Sequence, residues 1–346
     1  MKRSLFLAAL STMAAGSALA QSTITVYGRL NESFEHQKVG SVKSNSLANS
    51  NSRIGFKGAE DLGGGLKATF LLEHGFNPDN GTASDTTAFW GRESTVGLSG
   101  GFGSVRLGNM GPSAAYFATA DYISMHNHDT GTSADAFYLY PGSTKNSVAY
   151  KTPNYDGLEA EVQFGIKENQ ARNTGVVALN YDVGSLHLGL GYVQGPAALA
   201  GEAFNKSREL GLRALYEIGA FTVGAYYIRN ELEEPAVAPA SGVEAKRDAY
   251  RVSGMYVAGP LELHANVGAA DKIKVNGVKQ DGTNALQYTL GANYNLSKRT
   301  KLYTFYTKVD NKENIAYNPG NPNGFITAQA DGDDLQSIAF GIRHNF

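Results

Sequence analysis

The sequence of 346 residues contains no cysteine. A chain of this length therefore folds without disulfides, and neither a small disulfide scaffold nor a thiolate metal cluster is compatible with it. The chain also lacks a large excess of charge of either sign, because 30 basic and 32 acidic residues give a formal net charge of −2. So mild a balance argues against nucleic acid as a partner.

Long apolar runs are missing as well. At the N-terminus, Lys2 and Arg3 precede a short apolar run at residues 5–15 and an Ala-Leu-Ala cleavage motif. This pattern predicts a secretory signal peptide over residues 1–20, whose removal leaves 28 basic and 32 acidic residues, a net charge of −4. After Gln21 no apolar run approaches the roughly 18 residues that a membrane helix needs.

Glycine (41), tyrosine (19) and phenylalanine (16) are abundant, whereas there is one tryptophan. This composition favours strands and turns over helices. No proline-rich or serine-rich seam and no shift in composition divides the chain, so residues 21–346 are predicted to form one domain.

A two-residue period is clearest in the last stretch, residues 334–346, which read DLQSIAFGIRHNF. Ile338, Phe340, Ile342 and Phe346 share one parity, and small or polar residues occupy most of the other. Such a period indicates a half-buried strand. A strand with lipid on one side and water on the other has this pattern, and the last strand of a soluble sandwich is the alternative for this stretch alone.

Similar stretches recur and predict sixteen strands. They lie near residues 22–35, 50–60, 65–75, 88–99, 103–109, 145–153, 157–168, 173–183, 184–194, 207–218, 219–230, 246–258, 259–270, 285–296, 299–310 and 334–346. Every second connection is a short turn, as in EDLGGG at 60–65, and the others are mostly longer and polar, as at 36–49. Loops sorted by length in this way are typical of a membrane barrel.

A sheet that is surrounded by lipid must close on itself. Each unpaired backbone N–H or C=O costs several kcal/mol in lipid, so a sheet with open edges is not stable there. The first strand must therefore pair with the last. The predicted fold class is all-β, a sixteen-stranded antiparallel transmembrane β-barrel with short periplasmic turns and long outer loops.

Several longer stretches point to a family. They are STITVYGRLN at 22–31, SRIGFKGAEDLGGGLKATFLLE at 52–73, STVGLSGGFGSVRLGNM at 94–110, NSVAYKTPNYDGL at 146–158, YNLSKRTKLY at 294–303 and GIRHNF at 341–346. As a set, and in this order, they resemble the general trimeric porins of Gram-negative outer membranes, of the neisserial and beta-proteobacterial type. The resemblance covers nearly the whole chain after the predicted signal peptide.

The resemblance implies a homotrimer in the cell outer membrane, in contact with outer-membrane lipid and lipopolysaccharide. It implies a diffusion porin that passes ions and small hydrophilic solutes passively, with a charge bias, and that is no enzyme and needs no cofactor. It also implies that the outer-membrane assembly machinery reads the terminal strand, where Phe340, Ile342 and Phe346 form the apolar signal.

The longest connection, about residues 110–144, is the candidate functional loop, because structureless loops of this length tend to be functional. It contains no lysine or arginine and carries Asp121, Asp129 and Asp135. By resemblance it is the third loop, which folds inward and narrows the channel with these carboxylates. A solvated outer loop is the alternative interpretation of the residues alone.

The wall opposite this loop is expected to be basic. Strand parity places Arg53, Lys57 and Arg106 inside the barrel, and Arg29 and Arg343 face the lumen by the same count. Cations facing carboxylates across a narrow gap create a transverse field, which sets ion preference while the pore width sets the size limit.

Related anion-preferring porins carry pore arginines where this chain has Arg53 and Arg92. Arg92 shares parity with the outward Val96, so a bulge or an early loop boundary is needed to turn it inward. A further arginine of the family pattern is missing before the sixth strand, where Ser143 and Lys145 stand instead. This departure weakens the expectation of strong anion selectivity.

Two other classes of function remain open from the residues. An outer-membrane enzyme would need a nucleophile elbow at a turn from a strand to a helix, but GLSGG at 97–101, which has the GxSxG spacing, runs into a predicted turn between two strands. His126 and His128 lie in the long polar loop without a convincing third metal ligand. An adhesin or receptor that binds through the long loops is the third hypothesis.

Overall fold

The computed structural model describes residues 23–111, 114–120, 133–138, 144–168, 172–199, 202–235, 244–319 and 326–346. The predicted signal peptide lies outside the described residues, as do Asp121 and Asp129 of the long loop, its two histidines and Ser143. In the described part of the chain, no helix has the length and apolar character to cross a membrane.

Sixteen antiparallel strands and one short helix form the described fold. The strands are β1 (Thr23–Val39), β2 (in two segments, Val42–Asn49 and Arg53–Gly63), β3 (Leu66–Asn77), β4 (Glu93–Gly100), β5 (Gly103–Met110), β6 (Thr144–Lys151), β7 (Leu158–Gly165), β8 (Thr174–Val183), β9 (Leu186–Leu199), β10 (Glu202–Ile218), β11 (Phe221–Pro235), β12 (Glu244–Ala258), β13 (Leu261–Ala270), β14 (Ala285–Asn295), β15 (Thr300–Asn311) and β16 (Leu335–Asn345). Helix α1 (Ala114–Thr119) follows β5, and two-residue strands lie in loops at Thr82–Ala83, Lys274–Val275 and Val278–Lys279.

The sheet closes on itself between β1 and β16. Eleven consecutive residue pairs join them, from Arg29 opposite Asn345 to Val39 opposite Leu335. Gly28 and Phe346 then exchange two backbone hydrogen bonds of 3.1 Å each. On its other side, β1 pairs with both segments of β2, so neither long edge is open. The predicted pairing of first and last strands is confirmed.

The two faces of the sheet differ as the alternation predicted. On β1, Ile24 and Val26 are 69% and 53% exposed, whereas Asn31 and Glu35 are at most 1% exposed. In a closed barrel the exposed apolar parity must be the outer face, and the polar parity lines the interior. Phe346 lies on the outer face, 41% exposed, together with the outward residues of β16.

The connection expected over residues 36–49 is wrong. β1 continues to Val39 and β2 starts at Val42, with a two-residue turn at Gly40, whose φ is 55°. Eight further pairs join the strands here. These residues are mostly polar on both faces because this end of the hairpin extends beyond the lipid. Pairing there still satisfies the backbone hydrogen bonds of both strands.

The strand expected from residue 88 begins at Glu93 instead.

Aromatic rings cover glycines at the seam and on the strand beside it. A Cβ added at Gly28 would lie 2.4 Å from the Phe346 ring, and one at Gly341 would lie 2.1 Å from the Tyr303 ring. A ring lying over a cross-strand glycine shields its backbone and adds apolar contact. The terminal phenylalanine therefore closes the seam with its backbone and covers it with its side chain.

Deletion of Phe346 is expected to lower the yield of folded barrel sharply, because the seam loses two backbone hydrogen bonds and the ring over Gly28. Phe346→Leu keeps the backbone closure and is expected to be milder. Heat-modifiable migration in detergent gels measures the folded fraction. Equal folded yields for the deletion and the wild type would contradict this role of the terminal residue.

Candidate functional site

The long connection between β5 and β6 lies inside the barrel in its described parts. Helix α1 rests on the inner face of β8, β9 and β10, with Ala115 and Ala118 buried. A Cβ added at Gly189 of β9 would lie 1.7 Å from the carbonyl oxygen of Ala118, and one at Gly191 2.8 Å from that of Ala115. Glycines at these inward positions therefore leave the space in which the helix sits.

Asp135 fixes the second described part of the loop. Its Oδ2 accepts hydrogen bonds from Arg251 Nε at 2.9 Å and from the Tyr226 hydroxyl. Its Oδ1 accepts the backbone N–H of Phe137 at 2.8 Å and that of Tyr138 at 3.3 Å. Both charged side chains are buried, at 0% exposure for Arg251 and 2% for Asp135.

Gln287 of β14 extends this anchor. Its side-chain oxygen accepts the Ala136 N–H at 2.9 Å and an Arg251 hydrogen at 2.8 Å, and its amide donates to the Ala134 carbonyl at 3.0 Å. Arg247 of β12 donates to the Phe137 carbonyl. Residues 114–120 and 133–138 of the loop are thus held against the wall that β8 to β14 form, on one side of the lumen.

Arginines lie on the opposite wall, each close to a carboxylate. Glu73 of β3 accepts a 2.6 Å bond from Arg92 Nε and one of 2.9 Å from the Tyr27 hydroxyl, and Arg53 Nε lies 3.9 Å away. Arg92 Nη1 also donates to Asn51 Oδ1 at 3.3 Å. Two cations thus share one carboxylate.

Arg106 of β5 lies between two carboxylates. Its Nη1 is 3.1 Å from Glu93 Oε1 and its Nη2 is 2.5 Å from Glu161 Oε1. All three side chains are partly exposed on the inner face, at 12% to 27%. This part of the wall therefore alternates in sign across neighbouring strands.

The other predicted cations also lie on the inner face. Lys57 places its ammonium 5.1 Å from the centre of the Tyr27 ring. Arg29 Nε donates to Asn345 Oδ1 at 2.9 Å. Arg343 shares the inward parity of Asn345 on β16, and its outward neighbour Ile342 is 48% exposed.

Two of the predicted residues need a separate account. Arg92 lies in the loop just before β4, so the alternation of strand side chains does not determine its direction. Its side chain turns inward and donates a hydrogen bond to Glu73. Asp135 lies in the inward loop but does not face the open lumen. Its carboxylate is buried against Arg251, so it acts as an anchor instead of a pore-lining charge.

Sequence reasoning missed the carboxylates of the basic wall and the buried arginine of β12. Strand parity assigns Glu73 and Glu161 to the inner face, because their neighbours Leu72 and Val162 face outward. Parity alone also turns Arg251 inward, but its burial depends on a loop more than a hundred residues away in sequence. No local pattern signals that contact.

A closed barrel with an apolar outer belt, a polar interior and an internal loop defines a pore-forming protein of the outer membrane. A family model described as Gram-negative porin matches residues 7–314. The chain belongs to this family, lies in the cell outer membrane and is a diffusion porin for ions and small hydrophilic solutes.

Individual relatives of the chain point to the same family. The chain is 31% identical to outer membrane porin protein 32 of Delftia acidovorans over 100% of both chains, and 29% identical to major outer membrane protein P.IB of Neisseria lactamica over 84% of this chain and 88% of that one. An anion-selective porin from Comamonas acidovorans has the same fold, with 25% identity and a TM-score of 0.75 over 94% of this chain and 100% of that one. OmpT of Vibrio cholerae shares the fold at 18% identity, with a TM-score of 0.71 over 94% and 99%.

Asp135→Asn is expected to loosen the loop, because it leaves the charge of buried Arg251 without its carboxylate. Breaking one side of a buried ion pair typically costs about 3–5 kcal/mol. Single-channel recordings should show noisier current and a changed open conductance. Asp310→Asn, which removes a carboxylate on the outer side of β15, is the matched control. An Asp135→Asn channel as quiet as the wild type, with the same conductance, would contradict the anchoring role.

Proposed function

We propose that the narrowest part of this pore lies between the anchored loop and the arginine wall of β2 to β5. The observation that carries the proposal is the buried contact of Asp135 with Arg251 and Tyr226, which holds the loop to the far wall. Solutes cross between the two surfaces by diffusion, down their own gradients, and the protein catalyses no reaction on them.

The charge bias of this section is modest and favours anions. Arg53, Arg92 and Arg106 lie beside the carboxylates of Glu73, Glu93 and Glu161, which offset them. Lys57, Arg29 and Arg343 add further cations to the same inner face. In a lumen with low-dielectric walls, cations on the wall raise the local concentration of anions. The solved relative from Comamonas acidovorans is itself described as anion-selective.

We also propose a homotrimer in which the loop before β4 covers part of the outer face. Phe89 stacks on His74 with ring centres 4.2 Å apart, and Trp90 meets Phe56 edge-on at 6.2 Å. Phe89 keeps 65% of its surface exposed. An exposed aromatic outside a barrel fits contact with a neighbouring subunit. OmpT of Vibrio cholerae is described in a trimer form.

The remaining outer surface would contact outer-membrane lipid and lipopolysaccharide. Export would use residues 1–20 as a cleaved signal peptide. Phe340, Ile342 and Phe346 are exposed on the outer side of β16, which supports their recognition by the outer-membrane assembly machinery. The family and the exposed terminal strand support these proposed interactions.

Conductance in a planar bilayer tests the pore itself. Purified protein is expected to insert in steps and to carry ohmic current in potassium chloride. A salt gradient across the bilayer should give a reversal potential of the sign that a weak anion preference requires. A protein that stays electrically silent and hydrolyses lipid or peptide would overturn the proposal.

Charge reversal at Arg53 is expected to shift the permeability ratio toward cations, because it removes a cation and adds a carboxylate beside Glu73. Arg53→Gln should produce a smaller shift in the same direction. Arg229→Glu is the matched control, since Arg229 lies on the outer face beside Asp248. A reversal potential that does not change in Arg53→Glu would show that this wall plays no part in selection.

A further inference from the structure

An apolar cluster lies inside the barrel, near the strand ends that carry the long connections. Six neighbouring strands, β1 and β12 to β16, each contribute one inward apolar residue that is at most 3% exposed: Val39, Ala249, Ala270, Ala285, Val309 and Leu335. Apolar side chains on the wall of a water-filled space gain free energy when a cover removes them from water. The burial of this cluster therefore identifies a place where a loop packs on the wall.

Two connections supply the cover. The anchored loop between β5 and β6 contributes Phe137, which is 0% exposed, and the connection between β15 and β16 contributes Tyr317, which is 9% exposed. This second connection, residues 312–334, is called the last loop below and is described at 312–319 and 326–334. Three partly buried residues of the last loop pack against the same cluster: Ile315, Ile326 and Ala328.

The two loops touch through their aromatic rings. The ring centres of Phe137 and Tyr317 are 5.2 Å apart, and the rings meet edge to face at 85°. Arg247 of β12 contacts both loops, because it donates a hydrogen bond to the Phe137 carbonyl and its guanidinium carbon lies 5.3 Å from the centre of the Tyr317 ring. A further bond of 2.6 Å to Asn230 Oδ1 holds Arg247 against β11. One residue of the wall thus joins the two loops.

Hydrogen bonds from the strand ends fix the last loop. Asn311, where β15 ends, donates to the carbonyls of Tyr317 at 3.1 Å and of Asp333 at 2.9 Å, and it accepts the Tyr317 N–H at 3.1 Å. Gln37 of β1 accepts the N–H of Ile326 at 3.0 Å. The position of the Tyr317 ring is therefore set by the wall, so the ring can in turn support Phe137.

We propose that the last loop is a second inward element that positions the anchored loop and so helps to set the size limit of the pore, with Tyr317 as the positioning residue. Phe137 and Tyr317 can separate only if both rings become exposed to water, which the hydrophobic effect opposes. In their described parts, the two loops contact the inner face of β8 to β16 and of β1. That leaves β2 to β7 to border the path of solutes. This inference rests on the proposed function, since a size limit is a property of an open channel.

The size limit of Tyr317 variants tests the proposal. Polyethylene glycols of graded mass are added to channels in a planar bilayer, and a polymer that enters the pore lowers the conductance. Tyr317→Ala is expected to admit larger polymers than the wild type and to give noisier current, because the anchored loop loses its support. Tyr317→Phe should match the wild type, since the Tyr317 hydroxyl is buried without a hydrogen-bond partner in the described part of the chain. Tyr306→Ala, on the outer face of β15, is the matched control.

Phe137→Ala distinguishes a shared contact from two independent effects. Residues that act through one contact have non-additive effects, so the double variant with Tyr317→Ala should shift the polymer limit no further than the larger of the two single shifts. Heat-modifiable migration in detergent gels identifies the folded variants. A folded Tyr317→Ala channel with the polymer limit and noise of the wild type would overturn the proposal, and so would additive shifts in the double variant.

Cysteine labelling tests the position of the last loop without any measurement of current, and the absence of native cysteine makes each label specific. Ala328 packs against the apolar cluster, whereas its neighbour Thr327 is exposed. In folded protein, a water-soluble maleimide should label Ala328→Cys more slowly than Thr327→Cys. Equal labelling rates would overturn the packing of the last loop even if the channel conducts normally. A wild type that carries no current would instead contradict the proposed pore.

Discussion

The backbone of this protein has no water to bond with inside the membrane, and the rest of the structure follows from that constraint. Each strand must find a partner on both sides, so the sheet continues until Leu335 to Phe346 meets Gly28 to Val39. Closure in turn fixes an inside and an outside. The same alternation that exposes Ile24 and Val26 to lipid directs Asn31 and Glu35 inward.

Irregular backbone is stable at membrane depth only inside the barrel, where water and polar side chains can satisfy its hydrogen bonds. The inward loop lies in this interior, but it needs a fixed position if it is to shape the channel. The buried pair of Asp135 and Arg251 provides one, and the glycines at 189 and 191 leave room for α1 beside it. Breaking such a pair costs more than making it contributes, so its main consequence is a unique loop position.

Charge inside the barrel is arranged in two different ways. On β2 to β5 and β7, arginines and glutamates alternate, and the potential there is largely balanced. Where β15, β16, β1 and β2 adjoin, Arg29 is directly opposite Arg53 and Lys301 is directly opposite Arg343. The first arrangement lines the proposed narrow section with fixed hydrogen bonds, and the second places cations of neighbouring strands next to one another on the inner face.

Strand parity is a local property that each stretch displays, so the sequence was enough to predict the number of strands, their two faces and the pairing of the first strand with the last. It also placed Arg53, Lys57 and Arg106 inside for the same reason. It did not show that residues 36–49 would form paired strands, since these residues lack the apolar face by which the other strands were recognised. The burial of Asp135 against Arg251 and the position of Lys301 opposite Arg343 became visible in the folded barrel and not before. Contacts between strands and loops depend on barrel closure and register, which no single stretch encodes.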